Sequence, residues 1–254
     1  MSLRSAVRHA LTGGLASLPR TPGPGRIVLY HEIGEAADPI MSVPPALFRS
    51  QLDWLGEAGL ACGSVAQLVD AGFPAGLVGL TLDDGYLSAR LGCAAALERG
   101  WYATLFVVPA WIDEGRPDVL RWDELGELAG AGIEIAAHGL AHERLCGPDP
   151  AAMTDGLRRA RLRIEDRLGR PVRGLAYPYG LAGAAARAAA RAAGFSYACV
   201  SEPGSNGARR DPIVLRRNEI LATDDRPRLV LGKLGGSDDW MGPLRAFENG
   251  RACP

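Results

Sequence analysis

The clearest regularity along the chain is a set of short apolar runs, each followed by a stretch with helical spacing. Ile27–Tyr30 (IVLY) opens the series, and Leu77–Leu82 (LVGLTL), Ala103–Val108, Ile133–Ala137, Leu175–Tyr177 and Tyr197–Val200 continue it. Runs of this length without alternation are the pattern of strands covered on both faces. Val214–Ile220 is the last clear strand. Between the strands, apolar residues recur three and four positions apart. Ser42 with Pro44–Pro45 opens a helix ending near Ala58, with Leu47, Phe48, Leu52 and Leu55 on one face. Ser64 caps a shorter helix carrying Val65, Leu68 and Val69, and an Ala-rich helix follows near Ser88–Arg99. Trp122–Ala131 is closed by Gly132, a good residue for a helix C-terminus. Pro150–Leu168 is long and Arg-rich, with a solvated outer face, and Ala182–Ala193 ends at Gly194.

Strictly alternating strands and helices predict a parallel sheet with right-handed crossovers. Such strands make either an open doubly wound sheet or a barrel, and periodicity does not choose between them. No internal repeat or second domain is visible, and 254 residues suit one large α/β domain. The tail after Asp224, with Gly235–Gly236 and Trp240, is the hardest part to read.

Two strand ends carry chemistry. Leu77–Leu82 runs into Asp83 and Asp84 and then a turn at Gly85. Two acids at the tip of a buried strand are costly to desolvate unless they face a cleft, a cation or each other. A polar exit with Asp83 capping the next helix is the plainer reading of this stretch alone. Ile133–Ala137 ends at His138, with His142 four residues on, and the chain has only four His. Two imidazoles at that spacing reach one cation from a helical turn or a tight loop. Two His and one Asp make a three-ligand catalytic metal site with a position left for water.

These stretches resemble the polysaccharide deacetylases, carbohydrate esterase family four, which share the nodulation-deacetylase homology domain. Thr81–Gly85 matches that family's T-F-D-D-G with Leu82 in place of Phe. His138 and His142 match H-[ST]-x-x-H, although Gly139 stands where a hydroxyl residue is usual, and LAYPYG at Leu175–Gly180 matches the third motif. The resemblance covers roughly Arg26 to Ile220, and the ordered set of motifs is far more specific than any one. It implies an α/β fold, a distorted incomplete (β/α)7 TIM-like barrel with the site at the carboxyl ends of its strands. It further implies Asp83 as the general base and Asp84, His138 and His142 as ligands of one divalent metal, Zn2+ or else Co2+ or Ni2+. The backbone N–H of Tyr179 would meet the developing oxyanion.

The family's usual acid, a His late in the chain, has no counterpart, since no His follows His142. His31, ending the first strand, takes its place as candidate. The Tyr30-His31 pair and the A-Y-P-Y-G motif resemble the subgroup that includes biofilm poly-N-acetylglucosamine deacetylases. Many relatives support the catalytic Asp with an Arg where this chain has Ala176. Arg216 or Arg217 in the last strand could supply that charge, and Arg217 aligns better. Trp54, Trp101, Trp111, Trp122 and Trp240 include no residue that the sequence alone singles out as a sugar platform.

The implied reaction is metal-dependent removal of an N-acetyl group from an N-acetylated sugar in a glycan, glycolipid or glycoside. A catalytically lapsed member that binds glycans or a partner is the alternative, motivated by the missing late His, Gly139 and Ala176. Ester or cyclic-amide hydrolysis on the same fold is a weaker one. A net charge of −1 gives no electrostatic case for nucleic acid or an anionic membrane. Five scattered Cys (62, 93, 146, 199, 253), without C-x-x-C, read as small buried hydrophobes in a reducing compartment. Residues 1–25 read as an amphipathic helix and linker preceding a catalytic domain over 26–254. The helix holds Arg4, Arg8 and His9, with Leu3, Val7, Leu11, Leu15 and Leu18 at helical spacing, and would allow weak surface association. Thr12, Gly13 and Gly14 interrupt the unbroken apolar core of roughly 7–15 residues that a secretory signal needs. No stretch approaches the ~20 apolar residues of a membrane span. A cytoplasmic location is expected.

Overall fold

The run Leu77–Leu82 forms the strand on which the sheet is centred, buried from Val78 onward. The computed structural model describes residues 22–34, 40–147 and 149–252, with side chains as far as 247. The expected N-terminal helix, His9 and Cys253 lie outside the described residues. In chain order the strands are β1 (Ile27–Tyr30), β2 (Glu32–Ile33), β3 (Ser42–Val43), β4 (Ala61–Gly63) and β5 (Leu77–Leu82). They continue with β6 (Thr104–Val107), β7 (Glu134–Ala137), β8 (Gly174–Ala176), β9 (Tyr197–Cys199) and β10 (Asn218–Glu219). The sheet runs β10-β1-β5-β6-β7-β8-β9, with β4 beside the first half of β5, and every pairing is parallel.

The two ends of the sheet curl toward each other. Leu215 bridges to Cys199 at the β9 edge, donating its N–H to Ala198 O at 2.8 Å and accepting from Val200 N–H at 2.9 Å. Three residues later Asn218 pairs with Val28 of β1. One short segment therefore joins the first and last staves of a distorted, incomplete (β/α)7 TIM-like barrel, the fold expected. The segment cannot hold both partners as one straight strand. For that reason the strand expected over Val214–Ile220 is only two residues long, preceded by a 3₁₀ turn at Pro212–Val214.

Side chains two apart along a strand share a face, and this parity fills the barrel. Ile27, Phe106, Ala136, Ala176, Tyr197, Cys199 and Leu215 form one interior cluster, closed below by Val65 and Leu68 of the helix Val65–Asp70. On the other face, the larger core packs the sheet against the helices, including Leu52, Leu55, Leu82, Leu105, Leu157 and Ile164. The floor of the barrel carries one carboxylate with all its partners in place. Glu134 accepts from the N–H of Ala66 at 3.1 Å, the Thr104 hydroxyl at 2.7 Å and the Tyr197 hydroxyl at 2.8 Å.

Several local expectations are corrected. The helix expected from Ser42 runs from Pro45 to Glu57, because Pro44 precedes Pro45 and is held extended (φ −55°, ψ 139°). Ser42 belongs to β3, its hydroxyl donating to Gly34 O at 2.6 Å. Ser64 caps its helix as expected, in a reciprocal box with Gln67. The difficult tail forms the helices Pro227–Leu234 and Met241–Ala252. Cys62, Cys93 and Cys199 are buried free thiols, but Cys146 is disulfide-bonded, against the reading of five unpaired cysteines.

Candidate active site

Adjacent strand residues normally point to opposite faces, yet Asp83 and Asp84 serve one cleft. Asp83 continues the inward parity of Thr81, its N–H donating to Tyr30 O at 2.9 Å. Asp84 then turns into the left-handed region (φ 72°), which swings the second carboxylate back toward the same mouth. His142 (φ 58°) and Tyr179 (φ 62°) share this conformation, so three of the four such non-glycine residues described lie at the site. Each costs on the order of 1–3 kcal/mol and is kept where the surroundings over-determine it. Gly139 (φ 72°) has no such cost, and a Cβ there would meet Pro178 Cγ at 3.0 Å. That geometry accounts for a glycine in place of the family's hydroxyl residue.

Asp83 is buried and held on both oxygens by Arg217, Nη1 to Oδ1 at 2.7 Å and Nη2 to Oδ2 at 2.8 Å. The guanidinium is itself fully buried, with Nε donating to Val200 O at 3.2 Å. Burial pushes the Asp83 carboxyl up, but Arg217 and then His138 outweigh it and hold the group at about 2. Asp83 is thus ionised throughout the neutral range. Arg216 points elsewhere, 3.9 Å from Glu202. Arg217 is therefore the cation that meets Asp83, from the seam of the barrel, while Ala176 lies in the interior.

His138 leaves the end of β7 and donates Nδ1–H to Ala176 O at 2.8 Å, which frees Nε2 for the cleft. That Nε2 lies 3.4 Å from Asp84 Oδ1, and His142 Nε2 lies 3.3 Å from the same oxygen. Burial, then the neighbouring His138, push the His142 imidazole down, which keeps it neutral with a lone pair to offer. Asp84 Oδ1 is buried and has no hydrogen-bond partner. The three ligand atoms lie within 4.8 Å of one another. Ligands bound at ~2.0–2.1 Å around a tetrahedral cation stand about 3.3–3.4 Å apart, so the two measured spacings and the N, N, O donor set fit a small divalent metal.

His31, half-buried at the end of β1, lies 3.9 Å by Nδ1 from Glu219 Oε1. Sequence reasoning missed Glu219. The signal was parity: two residues beyond the inward Arg217, on a strand whose Glu219 is in register with Leu29. An aromatic wall rises on the other side of the cleft. Trp111 stands 5.1 Å from the His142 ring and Tyr179 4.7 Å from it. Of the five tryptophans, Trp111 is the one packed against a predicted site residue.

With this geometry in hand, the comparisons with known proteins are decisive for family. A family model described as polysaccharide deacetylase matches residues 70–198, half of the chain. The chain belongs to the polysaccharide deacetylase family. No curated protein matches it. Among solved structures, the Streptococcus pyogenes deacetylase PplD in complex with acetate is similar at TM-score 0.77 and 22% identity, over 84% of this chain and 99% of that one. IcaB from Ammonifex degensii is similar at 0.75 and 20%, over 85% of this chain and 100% of that one. BC0361, a polysaccharide deacetylase from Bacillus cereus, follows at 0.74 and 18%, over 84% and 69%. At such identities the likeness is one of fold. Membership of the deacetylase family makes carbohydrate deacetylation the class of reaction. Among the described residues, no helix is long and apolar enough to cross a membrane.

Proposed function

We propose that this deacetylase is a metal-dependent N-deacetylase of an N-acetylated sugar. The observation that carries the reading is the open Asp84 oxygen, faced by two imidazole nitrogens at 3.3 and 3.4 Å, beside an ionised Asp83. Asp84, His138 and His142 would hold the cation, Zn2+ in the first instance with Co2+ or Ni2+ as alternatives. A bound divalent cation supplies Lewis acidity toward a carbonyl oxygen and makes water a stronger acid.

The chain's own groups then have separable tasks. Asp83 takes the proton of the attacking water. Held at about 2, it is a weak base, so it serves only a water that is already acidified. Arg217 fixes both Asp83 oxygens in place. The Tyr179 N–H, on the strained Tyr-Pro-Tyr-Gly turn, donates to the oxygen of the collapsing carbonyl, a contribution of about 10²–10³ in rate. His31 hands a proton to the departing amine, with Glu219 Oε1 3.9 Å from its Nδ1. This arrangement also supports the subgroup resemblance carried by Tyr30-His31.

The compartment is likewise a proposal. The interrupted apolar pattern of residues 1–20 speaks for the cytoplasm and the Cys146 disulfide for an oxidising space; fractionation of the producing cell decides between them. For the activity, the purified protein is assayed on a panel of N-acetyl oligosaccharides, stripped of metal and then supplied with zinc, cobalt or nickel. Metal-restored acetate release is expected. No release on any glycan with full metal occupancy would favour the lapsed-enzyme reading.

A further inference from the structure

We propose that Arg144 determines specificity by binding an anionic group, a carboxylate or phosphate, on the sugar next to the acetamide being cleaved. The inference rests on the deacetylase reading above and deepens it by naming a substrate class. Arg144 lies two residues beyond His142, exposed, with its guanidinium 4.5 Å over the Tyr179 ring. Tyr179 in turn stands 4.7 Å from the His142 ring. The charge is thus carried at the rim of the cleft, two ring-spacings from a metal-ligand candidate.

The molecule contains its own control. On the other side of His142, Arg116 is stacked 4.0 Å over Trp111 in the same manner. That cation is neutralised by Asp118, with Nε to Oδ1 at 3.0 Å. Arg144 has no carboxylate within ion-pair distance among the described residues. Two stacked arginines therefore frame one cleft, one compensated and one open.

The stack also pre-orders the side chain. A free surface Arg loses rotamer freedom on binding, whereas a guanidinium held flat over an aromatic ring presents its fork with less to lose. Tyr179, more than half exposed as a side chain under strained backbone, serves here as the support that aims the charge.

The test compares Arg144→Gln with wild type on two probes, a neutral N-acetylglucosamine tetramer and a hyaluronan tetrasaccharide. A 6-phosphorylated N-acetylglucosamine disaccharide separates phosphate from carboxylate. The variant should lose roughly tenfold to a hundredfold in kcat/KM on the anionic probes, mainly through KM, with the neutral tetramer changed by less than about twofold. Arg144→Lys should restore part of the loss, and added salt should erode the anionic preference of wild type. Arg116→Gln should affect both kinds of probe alike. Equal losses on neutral and anionic probes in Arg144→Gln would reduce the residue to a prop for Tyr179 and overturn the proposal. Calorimetric binding of the same probes reads the contact without turnover. Equal affinity of wild type for neutral and anionic sugars, or none for either, also overturns it. Preferential binding without hydrolysis supports the Arg144 assignment and places the failure on the deacetylase reading.

Discussion

The floor and the mouth of the barrel each hold a carboxylate, treated in opposite ways. At the floor Glu134 accepts three hydrogen bonds, from Ala66, Thr104 and Tyr197. At the mouth Asp84 Oδ1 is shielded from water and accepts none. A saturated carboxylate stabilises the fold, because each buried donor around it would otherwise be left unmet. An unsaturated one costs stability and remains only where another species is to be bound. The contrast locates function by what the protein leaves unfinished.

The sharpest break of that contrast is Asp84→Asn. It should abolish metal retention and all measurable turnover, while the variant melts at the temperature of metal-free wild type or above, since an uncompensated buried charge is gone. A fall in Tm would show that Asp84 is structural. Next, Asp83→Asn should lower turnover by on the order of 10³ with metal content unchanged; turnover within about tenfold of wild type, roughly 1.4 kcal/mol of barrier, would remove Asp83 as base. His31→Ala should cost at least ~10² on an acetamide. The loss should be much smaller on an activated aryl acetate, whose leaving group needs no proton, and equal losses would point to a structural role. At the floor, Glu134→Ala should destabilise by about 2–4 kcal/mol in denaturant titration. Metal content and turnover of the folded fraction should stay unchanged. Loss of metal there would merge the two regions into one.

The smallest effect concerns another buried carboxylate, Asp238. Burial pushes it up to about 6, with Asp239 adding to the shift and Lys233 opposing it. Its folded pKa lies above the unfolded value of 3.8, so the folded state holds the proton longer and loses relative stability as pH rises from about 4 through 6. Asp238→Asn, keeping an acceptor for Asn218 Nδ2 (2.8 Å to Oδ1), should be neutral near pH 4 and stabilise by on the order of 2 kcal/mol at pH 8. Unfolding curves at the two pH values check this, and no gain at pH 8 would mean Asp238 is ionised without cost.

Much of this was legible in the sequence because the governing signals are local. Each buried strand is a run of apolar residues, and Asp83, Asp84, His138 and His142 sit at strand ends or one turn beyond. What stayed hidden depends on closure of the ring. Arg217 could be named only by alignment with relatives, since its contact with Asp83 spans 134 positions. Glu219 is hidden because Val214–Ile220 reads as one strand, whereas its first part serves β9 and its last part β1. Arg144 gave no sign at all, since nothing in the sequence says that a surface Arg lies over Tyr179. The Cys146 disulfide was likewise invisible to spacing.

The seam at Leu215–Ile220 has a consequence for the order in which the protein acquires its abilities. A growing chain contains Asp84, His138 and His142 well before it contains Arg217 and Glu219. The last stave to be made pairs with the first, Val28 with Asn218, the longest-range strand pairing in the sheet, and such contacts form late. The groups proposed for cation capture and those proposed for hydrolysis are therefore brought together at different times. A chain halted before residue 215 carries every proposed metal ligand yet leaves Asp83 without its guanidinium and His31 without its carboxylate. On the proposed assignment, hydrolytic competence waits until the ring is joined, and an unfinished chain carries the ligand set without the groups assigned to hydrolysis.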